Sequence, residues 1–96
     1  MYARLIMLKL GPGDRAAAES VADAATKIYR ASPGFKSATF FADEPTGDYG
    51  ALSVWETRET LEAAAQKAHP LIAEKLGKLL KSPPALSTYE VYEPRA

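Results

Sequence analysis

The sequence predicts an α+β fold of the ferredoxin-like type, in which a βαββαβ chain forms one four-stranded antiparallel sheet with two helices on one face. Two observations lead to this prediction. β-rich runs alternate with stretches of helical periodicity in the order that such a sheet requires. The predicted strands also carry apolar residues on both faces, which is unusual for a sheet that helices cover on one side only.

A change of apolar period separates the first strand from the first helix. Residues 2–10, YARLIMLKL, form an apolar run closed by GPG, which suits a buried strand. The run is too short to span a bilayer, so we interpret it as a strand and not as a signal or membrane segment. Asp14 then provides an N-cap for a helix whose apolar residues recur at three- and four-residue steps up to Ile28. The segment SPG at 32–34 ends this helix.

The next two β-rich runs predict a hairpin that leads into the second helix. Residues 35–43 and 49–56 are separated by the turn-forming segment EPTGD and should pair antiparallel. Thr57 is placed to cap the second helix. Because Pro70 lacks a backbone N–H, we expect this helix to be broken or kinked near His69.

The last strand completes a sheet with two apolar faces. Residues 86–93, LSTYEVYE, predict this strand. Ile6 alternates with Met7, and Phe40 alternates with Phe41, so large apolar side chains point to both sides of the sheet. Two helices cover one side only, and the other would be an exposed association patch. The sequence therefore predicts a homodimer in which the two uncovered faces meet.

Composition excludes several classes of function. The 96 residues suit a single domain, and 12 basic residues, scattered along the chain, balance 12 acidic ones, so we predict no nucleic-acid binding. Without cysteine the chain has no disulfide, thiolate nucleophile or iron–sulfur site, and a reducing cytoplasm is the expected location. GPGD lacks the residues of a phosphate-binding loop, and no G-x-S-x-G elbow occurs. Any chemistry would therefore arise in a small-molecule pocket.

Three stretches, SPGFKSATFFADE, YGALSVWETRETLEAAAQKAHP and STYEVYEP, resemble the antibiotic biosynthesis monooxygenase family of dimeric α+β barrels. The similarity covers nearly the whole chain, so we interpret residues 1–96 as a single domain of this kind. The resemblance implies a homodimer and, for some members, a cofactor-free oxygenase acting on phenols or quinols. Other members degrade heme. Several members use an asparagine on the first strand and a histidine on the second helix, whereas this chain has no asparagine and carries Ala64 at that helix position.

Trp55 and His69 are the residues that match family positions. The Trp55 ring is predicted to wall a substrate pocket and stack on a flat aromatic molecule, or else to close the core or the dimer seam. His69 is the predicted catalytic general base, or a heme ligand, because imidazole titrates near neutral pH and binds metals. Its alternative role is to satisfy the backbone where Pro70 interrupts the helix.

Arg4, Tyr49 and Tyr89 complete the predicted substrate-binding set. Arg4 lies among apolar residues and would pair with an acid or an anionic substrate, unless it reaches solvent at a sheet edge. The two tyrosine hydroxyls would orient a phenol or quinone, although tyrosine is also common in strands. The functional hypothesis is a monooxygenase that acts on a small phenol or quinol in a pocket between the sheet and the helices. We expect no metal and no cofactor, and heme is the one cofactor left open. The alternative is a dimeric barrel that binds a small ligand or heme without turnover.

Overall fold

A computed structural model describes residues 1–93, which form a four-stranded sheet and two helices. Along the chain these are β1 (Tyr2–Lys9), α1 (Arg15–Arg30), β2 (Phe35–Asp43), β3 (Asp48–Trp55), α2 (Arg58–Leu76) and β4 (Ala85–Glu90). The predicted βαββαβ order and the ferredoxin-like fold class are confirmed. β2 has its predicted bounds, whereas β4 starts one residue early and ends at Glu90 instead of residue 93.

All pairings in the sheet are antiparallel, and the strand order is β2-β3-β1-β4. β1 lies in the middle, with β3 on one side and β4 on the other. Ile6 and Leu8 pack into the core beneath the helices. Since side chains alternate along a strand, Arg4 lies on that same covered face, and Leu5 and Met7 lie on the opposite, open face.

The first helix presents one narrow buried stripe to the sheet. Val21, Ala25 and Tyr29 recur at four-residue steps and are all buried. Asp14 stands at the predicted N-cap position, but its carboxylate accepts a hydrogen bond from the backbone N–H of Gly11 at 2.9 Å and makes no side-chain cap to the helix. α1 is therefore stabilised at its start by packing more than by the predicted cap.

The second helix runs unbroken from Arg58 to Leu76, so the prediction of a break near His69 is wrong. Pro70 is exposed and lacks the N–H that would donate a backbone hydrogen bond within the helix. Buried residues on either side of it, Ala68 and Ile72, hold the helix against the sheet. The predicted cap is confirmed: Thr57 and Thr60 form a reciprocal capping box.

The core is divided into two clusters at opposite ends of the sheet. One surrounds Trp55, whose indole packs edge-on against the rings of Tyr29 and Phe35 with centroids 5.3 Å away in each case. The other joins the start of α1 to the end of α2 and includes Val21 and Leu76. The space between these two clusters is the cavity of the candidate site.

The open face of the sheet remains apolar, as the sequence predicts. Phe41, Leu52 and Tyr89 belong to it and are exposed. At Gly50, a side chain would collide with the Phe41 ring and the Met7 thioether, so the glycine lets these two apolar groups meet across the sheet. Among residues 1–93, no helix is long and apolar enough to cross a membrane.

Candidate functional site

A cavity of about 370 Å³ lies between the sheet and the two helices. β1, β2 and β3 supply its floor, and α1 and α2 supply its roof. Its volume falls within the range of small-molecule pockets. The chain therefore contains a space that fits a small ligand, in the place where the two core clusters fail to meet.

Small side chains leave this space open. Seven alanines line the cavity: Ala18, Ala22, Ala25, Ala42, Ala51, Ala65 and Ala68. In a close-packed core such facing positions would carry larger residues, because voids forfeit dispersion contacts. The spacing of the alanines on both helices follows the core stripe, so they replace core side chains and are not surface positions. The cavity is thus encoded by alanine where a filled core would carry leucine or isoleucine.

Three of the predicted site residues, Arg4, Tyr49 and His69, line the cavity. Tyr49 is 5% exposed, and its hydroxyl has no hydrogen-bond partner in the described part of the chain. No fully buried side-chain oxygen or nitrogen in that part lacks a partner, so the hydroxyl must reach accessible space. Tyr49 lines the cavity, and we interpret the cavity as the space that its hydroxyl reaches.

Tyr29 also lines the cavity, although it is outside the predicted substrate-binding set. It is 4% exposed, and the same reasoning places its hydroxyl on the cavity. Burial raises the pKa of Tyr29, and the nearby charge of Arg4 opposes that rise. Tyr29 thus remains a neutral hydrogen-bond donor at neutral pH. Its spacing of four residues from Ala25 places it on the buried face of α1, and this was the available signal.

His69 is exposed and lies at the rim of the cavity, on α2. Its ring makes no hydrogen bond within residues 1–93. His69 is the chain's only histidine, and an imidazole can both accept and donate a proton. An exposed imidazole at the entrance has access both to solvent and to a molecule bound inside.

Trp55 and Tyr89 do not line the cavity. Trp55 is 1% exposed, and its indole Nε1 donates a hydrogen bond to the Ser53 hydroxyl at 3.0 Å. Its ring packs against the ring of Tyr29, so Trp55 supports a residue that lines the cavity. Tyr89 is 54% exposed on the open face of β4, on the other side of the sheet. Direct contact of either residue with substrate stays a prediction.

Arg15 forms two ion pairs at another part of the cavity rim. Arg15, at the start of α1, contacts Glu19 and Glu44 at 3.0 Å each. Since Glu44 belongs to the turn after β2, Arg15 fastens the helix to the hairpin beside the cavity. All three side chains are more than half exposed, so each pair contributes little to stability. In residues 1–93 no three metal-ligating side chains come together.

The fold is similar to that of solved antibiotic biosynthesis monooxygenase structures, which confirms the predicted resemblance at the level of the fold. An antibiotic biosynthesis monooxygenase structure covers 97% of this chain and 100% of its own, with a TM-score of 0.78 and 11% identity. No protein-family model matches the sequence, and no curated protein matches it.

Two further solved structures are similar over almost their whole length. Rv0793 from Mycobacterium tuberculosis matches with a TM-score of 0.80 and 19% identity, covering 99% of this chain and 98% of its own. SnoaB, a cofactor-independent oxygenase from Streptomyces nogalater, matches with a TM-score of 0.76 and 17% identity, covering 98% and 95%. At these identities the likeness establishes the fold, and the activity has to be argued from the site.

Proposed function

We propose that the protein is a cofactor-independent monooxygenase acting on a small phenol or quinol in the cavity between the sheet and the helices. The observation that carries the proposal is an alanine-walled cavity into which the hydroxyls of Tyr29 and Tyr49 open without protein partners. Structural similarity to SnoaB, which is a cofactor-independent oxygenase, supports it. The absence of cysteine suits a cytoplasmic protein, and we place it there as part of the proposal.

The cavity offers the conditions that such a reaction needs. Apolar walls exclude water from a bound ring, which raises the energy of its phenolate and favours electron transfer to oxygen. His69, at the rim, takes the phenolic proton as general base. Tyr49 and Arg4 orient the phenolic oxygen, and Trp55 acts through the ring of Tyr29, against which it packs.

The reaction balances without an external reductant. For a naphthol, the phenolate supplies electrons to O₂ and a C–O bond forms at the para carbon. The O–O bond then breaks, one oxygen atom stays on the ring, and the other leaves as water. One naphthol and one O₂ thus give one naphthoquinone and one water. Both electron pairs come from the substrate, so the protein supplies position, desolvation and proton transfer only.

We also propose that the protein works as a homodimer. Phe41, Leu52 and Tyr89 expose large apolar surface on the open face of the sheet, and a second copy offers the same surface for self-complementary packing. Two such sheets packed face to face would bury this surface on both chains. Tyr89 would then lie at the interface.

The experiment is turnover of 1-naphthol by metal-stripped protein under ¹⁸O₂. The proposal predicts one labelled oxygen atom in the quinone and one O₂ consumed per quinone. His69→Gln should lower kcat by roughly 100-fold or more, the usual contribution of a general base. Gln66→Ala, an exposed change on the same helix, is the matched control and should keep the rate.

Two results would redirect the proposal. Full activity in His69→Gln would remove His69 as the base. If a panel of naphthols and hydroquinones gave no labelled product but did raise the melting temperature, the alternative of ligand binding without turnover would replace the proposal.

A further inference from the structure

Arg4 is a cation without a partner inside the cavity. The side-chain ion pairs among residues 1–93 join Lys9 to Asp48, Arg15 to Glu19 and Glu44, and Arg58 to Glu62. Arg4 takes part in none of them, and its guanidinium donates no hydrogen bond within that part of the chain. Since no fully buried side-chain nitrogen there lacks a partner, the guanidinium nitrogens reach the accessible space that Arg4 lines.

Within residues 1–93, no carboxylate lies within ion-pair distance of Arg4. Its neighbours in register on the adjacent strands are Ser53 and Thr88, both neutral. Glu19 is the single carboxylate in the cavity lining, and it is held by Arg15 at 3.0 Å on the exposed rim. The fixed charge inside the cavity is therefore positive. A half-buried guanidinium of this kind favours an anionic oxygen that it can hold through paired hydrogen bonds.

Tyr29 faces the same space as Arg4. The charge of Arg4 acts on the Tyr29 hydroxyl and lowers its pKa against the larger effect of burial. Both residues line the same cavity, so one ligand bound there is in reach of both side chains. Apolar residues, among them Ile6, Phe40 and the seven alanines, make up most of the remaining lining, which also includes Arg15, Glu19, Tyr49 and His69. The cavity combines one anion-binding end with an apolar body, which matches an aromatic ring that carries a single anionic group.

We infer that the cavity selects aromatic monoanions, with a carboxylate or phenolate oxygen bound by the Arg4 guanidinium and the Tyr29 hydroxyl and the ring held between the alanine-lined helices and the sheet. The inference rests on the proposed function in taking this cavity as the substrate site. It adds that the ligand is an anion and that Arg4 is the residue that recognises its charge.

The test is calorimetric titration of the protein with three matched probes: 1-naphthoate, 1-naphthamide and 1-naphthol. At neutral pH, 1-naphthoate should bind about tenfold or more tightly than the neutral, isosteric 1-naphthamide. The affinity for 1-naphthol should rise as the pH approaches the probe's own pKa, which separates recognition of a phenolate from recognition of a carboxylate.

Variants then assign the preference to Arg4. Arg4→Gln should weaken 1-naphthoate binding by roughly 10- to 100-fold, the range for a hydrogen bond to a charged group, and leave 1-naphthamide unchanged. Arg4→Lys should keep part of the preference, because it keeps the charge. Arg58→Gln removes an arginine from the outer surface of α2 and should change nothing.

Equal affinity for 1-naphthoate and 1-naphthamide, no binding of either, or a preference that survives in Arg4→Gln would overturn the inference. The preference of the unmodified protein decides the question even if Arg4→Gln does not fold. Oxygen consumption is measured separately, so the two proposals fail independently. An anion preference without turnover would contradict the monooxygenase only, and turnover without anion preference would contradict this inference only.

Discussion

At the scale of single residues, Tyr29 links the hydrophobic core to the cavity. Its ring packs against Phe35 and Trp55, with centroids 5.9 and 5.3 Å away, while its hydroxyl opens on the cavity. Burial of the ring fixes the hydroxyl in place, and burial also raises its pKa. One side chain therefore both stabilises the fold and presents a neutral hydrogen-bond donor to a ligand.

The shifted pKa of Tyr29 makes stability depend on pH in the alkaline range. The pKa in the folded chain is above the ordinary value of 10.0, so the folded state holds the proton more tightly than the unfolded state does. Its contribution is therefore complete below about pH 10 and is lost as the pH rises through the folded pKa. We expect the free energy of unfolding, measured by urea titration from about pH 8 to about pH 11, to fall more steeply in the unmodified protein than in Tyr29→Phe.

The comparison with Tyr29→Phe isolates this group, because the chain's other tyrosines are present in both proteins. Parallel pH profiles for the two proteins would show that Tyr29 titrates alike in the folded and unfolded chains. That result would contradict the buried environment described for its hydroxyl.

At the residue scale, the sequence proposed candidates whose roles stay predictions. Arg4, Tyr49 and His69 line the cavity. Trp55 does not, because strand alternation places its ring under α1, behind Tyr29. No local pattern in the sequence distinguishes a ring that lines a cavity from one that stands one layer behind it.

At the scale of elements, α2 shows how tertiary packing overrides a local signal. Pro70 predicts a break, yet the helix continues because Ala68, Ile72 and Leu76 remain buried on both sides of it. The cap at Thr57 was predictable because a capping box depends only on residues three positions apart. The continuity of the helix was not predictable from local sequence, since it depends on contacts with residues distant in sequence.

We expect Pro70 to lower the stability of α2 without contributing to the fold. It is exposed and removes one backbone hydrogen bond from α2. We expect Pro70→Ala to raise the free energy of unfolding by about 1–3 kcal/mol, as measured by urea titration. The exposed change Gln66→Ala, one turn earlier, should alter it by less than about 0.5 kcal/mol. A loss of stability in Pro70→Ala would mean that the proline ring makes a packing contact that this account omits.

At the scale of the whole molecule, the two faces of the sheet have different tasks. The covered face encloses the cavity, and the open face exposes Phe41, Leu52 and Tyr89. The sequence predicted both apolar faces from strand alternation alone. Elimination and the family resemblance predicted a pocket, but the strand and helix patterns did not, because the empty volume depends on how two helices place their alanines over three strands.

The proposed dimer provides a prediction with a closely matched control. Leu52, 38% exposed, lies on the open face, whereas Leu86, 42% exposed, lies on the helix side at the edge strand β4. Light scattering at micromolar concentration should give a dimer mass for the unmodified protein and for Leu86→Arg. Leu52→Arg should give a monomer mass, because the charge would be buried at the interface without a partner. A dimer that survives Leu52→Arg but dissociates in Leu86→Arg would place the interface on the other side of the sheet.

The central claim is that the alanine-lined cavity is the place where an aromatic substrate meets oxygen. The most direct measurement is oxygen uptake with 1-naphthol by the unmodified protein and by two folded variants, Ala65→Phe and Ala63→Phe. Ala65 lines the cavity, whereas Ala63 is exposed on the same helix two residues away. The account predicts that Ala65→Phe fills the cavity and abolishes uptake while Ala63→Phe retains it. Equal uptake by both variants would contradict the account, because the reaction would then take place outside the cavity.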